Sequence, residues 1–211
     1  MPAPEPPVAP HAVDARLDAL CTGLRERGYC IVDDLLPHAL LRTLAADCAW
    51  RERSGVFKRA GTGRGASAMQ NALRDDSIHW LEPGATEAPA TDFLAQMDML
   101  RVGLNRGLLL GLHELEAHYA VYPAGGGYAR HRDRFRDDDA RVLSLVVYLN
   151  PDWDMADGGQ LRLHLDDGAL DVAPAMGCSV LFLSDAIEHE VLPAQRTRRS
   201  IAGWFRQRPL S

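Results

Sequence analysis

The sequence predicts an α+β fold in which helices from the first half pack against a jelly roll built from the second. Helical apolar periodicity is confined to roughly the first 111 residues. From about residue 114 the chain instead breaks into seven or eight short apolar or alternating runs. Gly, Pro, Asp and Asn separate those runs, which is the punctuation of an all-β sandwich or barrel. No stretch repeats another, and 211 residues with 46% hydrophobic and 25% charged side chains suit one domain with a sizeable core.

The opening "MPAPEPPVAPHA" holds five prolines in its first ten residues and has neither a basic n-region nor an apolar h-region. It is expected to be a disordered lead-in over 1–12 and not a secretory signal. A single domain is expected over 13–211, with helical support and a finger loop in 13–112 and the jelly-roll core at about 113–207. Residues 13–28 place Val13, Leu17, Leu20 and Leu24 at three-to-four spacing, an amphipathic helix closed by Gly28. "YCIVDDLL" follows as a short strand, and Pro37 stands near the start of the helix "PHALLRTLAADCAWRER". Another helix is expected over 90–111, with Phe93, Met97, Leu100, Leu104 and Leu108 on one side.

Between these helices lies "SGVFKRAGTGRGASAMQNALRDDSIHW", with four glycines and little periodicity. From Arg51 to Arg74 it carries six basic residues against one acid, Glu52. A mobile loop or β-finger and a merely solvated loop are both compatible with that composition. The β half then reads "EAHYAVY", "ARVLSLVVYLN", "GGQLRLHL", "GALDVAP", "CSVLFLS", "HEVLPA" and "RSIAGWFRQ".

Charge and cysteine usage exclude several classes. A net charge of −6 argues against nucleic acid or a membrane surface as the partner of the whole molecule. Cys21, Cys30, Cys48 and Cys178 form no CxxC pair and fit idle thiols in a reducing cytoplasm. No apolar run approaches the length of a membrane span.

Two stretches raise the question of a metal: "ARHRD" at 129–133, and "EHEVLPA", whose His189 lies fifty-six positions beyond Asp133. On an extended strand His131 and Asp133 share a face and Arg132 points away. Together with one distant His they match the 2-His-1-carboxylate facial triad, which suits Fe(II) and leaves three positions open. The alternative is a polar surface strand and, around His189, a polar turn among Asp185, Glu188 and Glu190.

Arg198 lies nine residues after His189, and alternation groups it with Ser200, Ala202 and Trp204. If that face looks into the barrel, its guanidinium needs an anionic partner. A dicarboxylate would supply one through a bidentate pair. Tyr148 in "VVYLN" can share the inward face and donate its hydroxyl to the same group. A surface Arg and a core Tyr are the plain alternatives.

"YPAGGGYARHRD", "RVLSLVVYLNPDWDMADGGQLRL" and "HEVLPAQRTRRSIAGW" resemble successive blocks of 2-oxoglutarate/Fe(II) oxygenases of the protein prolyl hydroxylase type. These are the hypoxia-sensing prolyl hydroxylases and their bacterial relatives. "RDDSIHW" resembles the block that closes the family's substrate-covering finger loop, so the resemblance runs in order over roughly 50–206. It implies a double-stranded β-helix, His131, Asp133 and His189 as iron ligands, and Arg198 with Tyr148 on the distal 2-oxoglutarate carboxylate. It places Tyr122, Tyr128, Arg141 and Trp204 around the target proline, and Arg74 and Asp76 at the base of the finger loop. Asn150-Pro151-Asp152-Trp153 and Gly158-Gly159 read as structural turns. The Gly-rich turn before Tyr128 is one residue shorter than in the animal enzymes, and seven residues follow Trp204. The second departure bears on the animal enzymes' peptide specificity and leaves the metal set untouched.

The implied activity is oxidation of a prolyl residue by O₂ with Fe(II) and 2-oxoglutarate, releasing succinate and CO₂, with ascorbate as an auxiliary reductant. The implied partner is a protein containing the target proline, a translation factor among the candidates; oligomeric state is not encoded in these motifs. Two rivals stay open. One keeps the chemistry but oxidises a nucleobase or small molecule, with the Arg51–Arg74 stretch on phosphate. The other is a non-catalytic, cupin-like metal-binding module, for which Arg198 and Tyr148 are incidental.

Overall fold

The computed structural model describes residues 10–61, 74–82, 84, 88–133 and 140–208, with the backbone alone for 10–14. Its elements are α1 (Pro10–Arg27), β1 (Tyr29–Asp33), α2 (His38–Arg53), β2 (Lys58–Arg59), β3 (Ser77–Trp80), α3 (Ala90–Leu108), β4 (Glu114–Tyr122) and β5 (Tyr128–His131). There follow β6 (Arg141–Tyr148), β7 (Leu161–Leu165), β8 (Gly168–Val172), β9 (Cys178–Leu183), β10 (Glu188–Val191) and β11 (Arg198–Arg206). The strands form two antiparallel sheets, in the orders β1-β9-β6-β11-β4-β3-β2 and β5-β10-β7-β8. This is the α+β jelly roll that the sequence predicts.

Element ends depart from expectation where local chemistry overrides periodicity. Helix α1 begins at Pro10, because proline is tolerated in a first helical turn. Pro10, His11 and Ala12 therefore belong to the helix and not to a lead-in; residues 1–9 lie outside the described residues. Helix α3 stops at Leu108 and not at 111. Leu109 turns left-handed at φ 54°, and the Asn105 side chain bonds both the N–H and the carbonyl of Leu112. Residues 62–73 of the expected finger loop, 53–76, lie outside the described residues; the flanking chain forms the antiparallel pair β2–β3.

Two apolar layers follow from strand alternation. Leu20, Leu24, Leu44, Phe93, Met97 and Leu104 of the helices pack against Tyr119, Leu143, Leu145, Ile201 and Phe205 on one face of the large sheet. Leu161, Leu163, Val172, Val180 and Phe182 fill the space between the sheets. Each buried side chain of this size contributes about 1.5–3 kcal/mol. Polar side chains of both sheets also face inward, around a cavity. Among the described residues, no helix is long and apolar enough to cross a membrane.

Candidate active site

Strands β4 and β11 lie side by side, with Arg198 opposite Tyr122 and Ala202 opposite His118. Alternation therefore turns Glu116, His118, Ala120 and Tyr122 of β4 the same way as Arg198, Ser200, Ala202 and Trp204 of β11. All eight line one cavity of about 480 Å³ between the sheets. Of the eleven residues singled out in the sequence, ten line this cavity, and Tyr148 is buried outside its lining.

His189 on β10 is the direct cross-strand neighbour of His131 on β5. Strand β5 ends at His131, so Asp133 reaches the site from the bend beyond it and not from an extended strand. Asp133 Oδ1 lies 3.5 Å from His131 Nε2, and Asp133 Oδ2 lies 3.6 Å from His189 Nε2. One ligand atom from each residue falls within 4.8 Å of the others, a group able to hold a metal ion. The three donors are close enough together to share one ion.

The surroundings select the right atoms. Nδ1 of His131 faces the Ala129 carbonyl at 2.8 Å, and Nδ1 of His189 faces the Ile187 carbonyl at 3.3 Å. With Nδ1–H donating to those carbonyls, each Nε2 keeps its lone pair for a metal. Ser144 Oγ donates to Asp133 Oδ2 at 2.6 Å and meets Ser184 Oγ at 3.0 Å. Burial opposes ionisation of Asp133. Attraction to His189 and His131 when they are protonated, together with the Ser144 bond, outweighs it and holds the carboxyl well below its usual range. Burial depresses the His189 pKa against the pull of Asp133, favouring the neutral imidazole that metals bind. Tyr128 stacks on His131 with centroids 3.6 Å apart.

Arg198 is 2% exposed. Its Nε donates to the Gly159 carbonyl at 2.9 Å and its Nη1 to Ser200 Oγ at 3.3 Å, and none of the described acids pairs with it. The guanidinium lies 5.2 Å from the ring centroids of both Tyr122 and Tyr148. The Tyr148 hydroxyl is buried without a hydrogen-bond partner among the described residues. Burial pushes the Tyr148 pKa up, against the nearby Arg198 charge, so the phenol stays protonated and able to donate. A buried cation without an acid beside a spare hydroxyl fits an incoming carboxylate. Gly159, read from sequence as a turn residue, does more than turn. It adopts φ +70°, and a Cβ there would stand 3.2 Å from Arg198 Cδ.

Toward the mouth, Arg74 forms a two-toothed pair with Asp76, Nε to Oδ1 at 2.6 Å and Nη2 to Oδ2 at 2.5 Å. The same guanidinium lies 4.6 Å over the Tyr128 ring. Arg141 Nε donates to Glu116 Oε1 at 2.8 Å, and its guanidinium covers the Trp204 ring at 3.7 Å. Sequence reasoning missed Trp80, His118 and Ser144. His118 is buried, with Trp80 edge-on at 4.9 Å and Trp204 at 5.5 Å between centroids. Burial lowers its pKa to about 4, with Arg74 and Arg141 pushing the same way against Asp76. A signal existed for each: His118 is in phase with Tyr122, Ser144 with Tyr148, and Trp80 with Asp76.

Residues 117–206 match the family described as the 2OG-Fe(II) oxygenase superfamily. Human prolyl hydroxylase EGLN3 is 31% identical over 203 residues, covering 90% of this chain and 82% of that protein. A Pseudomonas putida prolyl-4-hydroxylase crystal structure is 47% identical with a TM-score of 0.82, covering 91% of this chain and 99% of that one. A Trichoplax adhaerens prolyl hydroxylase, solved with a hypoxia inducible factor oxygen degradation domain peptide fragment, is 27% identical with a TM-score of 0.85, covering 93% of this chain and 91% of that one. The chain spans about half the length of the mammalian Egl nine homolog 1 proteins it also matches, 47% of the human one. On these likenesses, and with the inward-facing His131, Asp133, His189 and Arg198, the chain belongs to the prolyl hydroxylase family within the 2OG-Fe(II) oxygenase superfamily.

Proposed function

We propose that this protein is a 2-oxoglutarate- and Fe(II)-dependent dioxygenase that hydroxylates a prolyl residue of a protein substrate and releases succinate and CO₂. One observation carries the reading: one cavity joins a three-donor metal set to a buried arginine that has no acidic partner among the described residues. His131 Nε2, the Asp133 carboxylate and His189 Nε2 would hold Fe(II), leaving its other positions open. Arg198 would hold the distal carboxylate of 2-oxoglutarate, and Tyr148 Oη would donate to the same group. Bound iron and 2-oxoglutarate would supply O₂ activation coupled to oxidative decarboxylation, with ascorbate as an auxiliary reductant.

The chain's own residues do the rest. Leu161, Val146 and Val191 line the cavity with apolar groups that keep water from competing. Tyr122, Tyr128 and Trp204 offer aromatic walls for a pyrrolidine ring, and the Arg74–Asp76 pair fixes Tyr128 beside His131. A polypeptide substrate is favoured because a relative of like fold was solved with a peptide fragment. A translation factor is our candidate class of substrate, by resemblance, and Cys21, Cys30, Cys48 and Cys178, all free, suit a cytoplasmic setting. A cupin-like module that binds metal without turnover gives no reason for Arg198 to be buried without an acid.

The test is reconstitution of the purified chain with Fe(II) under anaerobic conditions, followed by admission of O₂ and 2-oxoglutarate. One iron per chain and release of succinate are expected. Asp133→Ala should take up no iron and release no succinate while keeping its circular dichroism. Near-normal activity in that variant would refute the ligand assignment.

A further inference from the structure

His118 belongs to neither the metal set nor the 2-oxoglutarate pocket, yet it stands in the cavity wall between Trp80 and Trp204. On β4 it stands opposite Ala202 of β11, and it lines the same cavity as the metal set. Its Nδ1 faces the Tyr119 carbonyl at 3.1 Å, which assigns the ring proton to Nδ1. Nε2 has no partner among the described residues and is a bare acceptor between two indole rings, with the charges of Asp76, Arg74 and Arg141 nearby. An acceptor in such a place loses free energy until a donor arrives.

We propose that His118 is a specificity-determining residue whose Nε2 accepts a hydrogen bond from a main-chain amide N–H flanking the target proline. The proposal rests on the prolyl hydroxylase reading and deepens it, by naming what part of the substrate is recognised. The donor cannot be the prolyl nitrogen, which carries no hydrogen in a peptide. It must therefore belong to a neighbouring residue. A cationic donor such as a lysine ammonium is disfavoured, because the burial that keeps His118 itself unprotonated also penalises a second cation there. The neutral amide N–H is the donor that a polypeptide always presents beside a proline, unless another proline follows. Recognition of this kind fixes the depth and orientation of the segment without demanding a particular side chain.

The experiment uses the iron-loaded full chain and a pool of blocked peptides, acetyl-Ala-Xaa-Pro-Xaa-Ala-amide, read by the gain of one oxygen atom. The best-turned-over member is then assayed with wild type, His118→Leu and His118→Gln. His118→Leu should raise KM for that peptide about tenfold, the equivalent of one hydrogen bond, and leave KM for 2-oxoglutarate unchanged. His118→Gln, which keeps an acceptor, should recover most of the loss. N-methylating one amide next to the proline should cost wild type about tenfold and cost His118→Leu nothing further. A His118→Leu enzyme with wild-type peptide KM, or one still sensitive to N-methylation, overturns the proposal. Should His118→Leu not fold, the N-methyl series on wild type and His118→Gln decides, and the absence of any sensitive amide overturns it. A wild type that releases succinate but oxidises no peptide in the pool sinks the prolyl reading itself, and this inference with it.

Discussion

Arg198 and Arg199 are chain neighbours sent to opposite sides of a sheet. Arg198 faces the cavity without an acid, whereas Arg199 reaches Glu52 of α2, Nη2 to Oε2 at 2.6 Å. Losing a buried bidentate charge partner costs on the order of 2–5 kcal/mol. Arg198→Met should therefore raise the 2-oxoglutarate requirement at least tens-fold in succinate assays. Arg199→Met breaks a partly exposed pair worth about 0–1 kcal/mol and should leave that requirement nearly unchanged. The reverse pattern would overturn the assignment. This much was legible because alternation along a strand is local: one register places four side chains at once. His118 and Ser144 were not picked out, although the same rule reaches them. A lone His or Ser within an apolar run reads as a satisfied core residue until the neighbours it faces are known.

At the level of elements, β3 and the base of the finger loop are tied by the Arg74–Asp76 pair, with Asp76 fully buried. Removing Arg74 leaves a buried carboxylate unpaired, a loss of about 3–5 kcal/mol. It also frees Tyr128, which the guanidinium covers. Arg74→Ala should cut peptide hydroxylation strongly and lower the melting temperature, with Fe(II) and 2-oxoglutarate affinity nearly unchanged. Calorimetric titration of 2-oxoglutarate into the metal-loaded variant separates these effects. The two-residue offset made this pair legible, since it needs only one extended segment. Element ends were less legible. Nothing in the apolar pattern around 108–112 announces that Asn105 will hold Leu112 from both sides and stop the helix. Likewise, Asp133 was expected on a strand that ends at His131, because strand length depends on a partner distant in sequence.

Across the whole molecule, the inward polar residues make stability depend on pH. Burial sets the His118 pKa at about 4, below the ordinary 6.5. Between those values the unfolded chain binds the proton and the folded chain does not, so stability rises with pH through this window. The contribution is fully present above about pH 6.5 and is lost as pH falls toward 4, with a ceiling on the order of 3 kcal/mol. Urea unfolding at a series of pH values should show this slope, and His118→Gln should flatten it. The double-sheet architecture was legible from punctuation and alternation. The cavity was not, because it needs the separation of two sheets that no single strand encodes. The claim that unites the three scales is that the cavity oxidises a prolyl residue. Its most direct test is mass spectrometry of proteins incubated with the Fe(II)-loaded enzyme, 2-oxoglutarate and O₂. The expected result is one added oxygen atom localised to a prolyl residue, with one succinate per hydroxyl group and none from Asp133→Ala. Oxygen found instead on a nucleobase, a free amino acid or another side chain would contradict it.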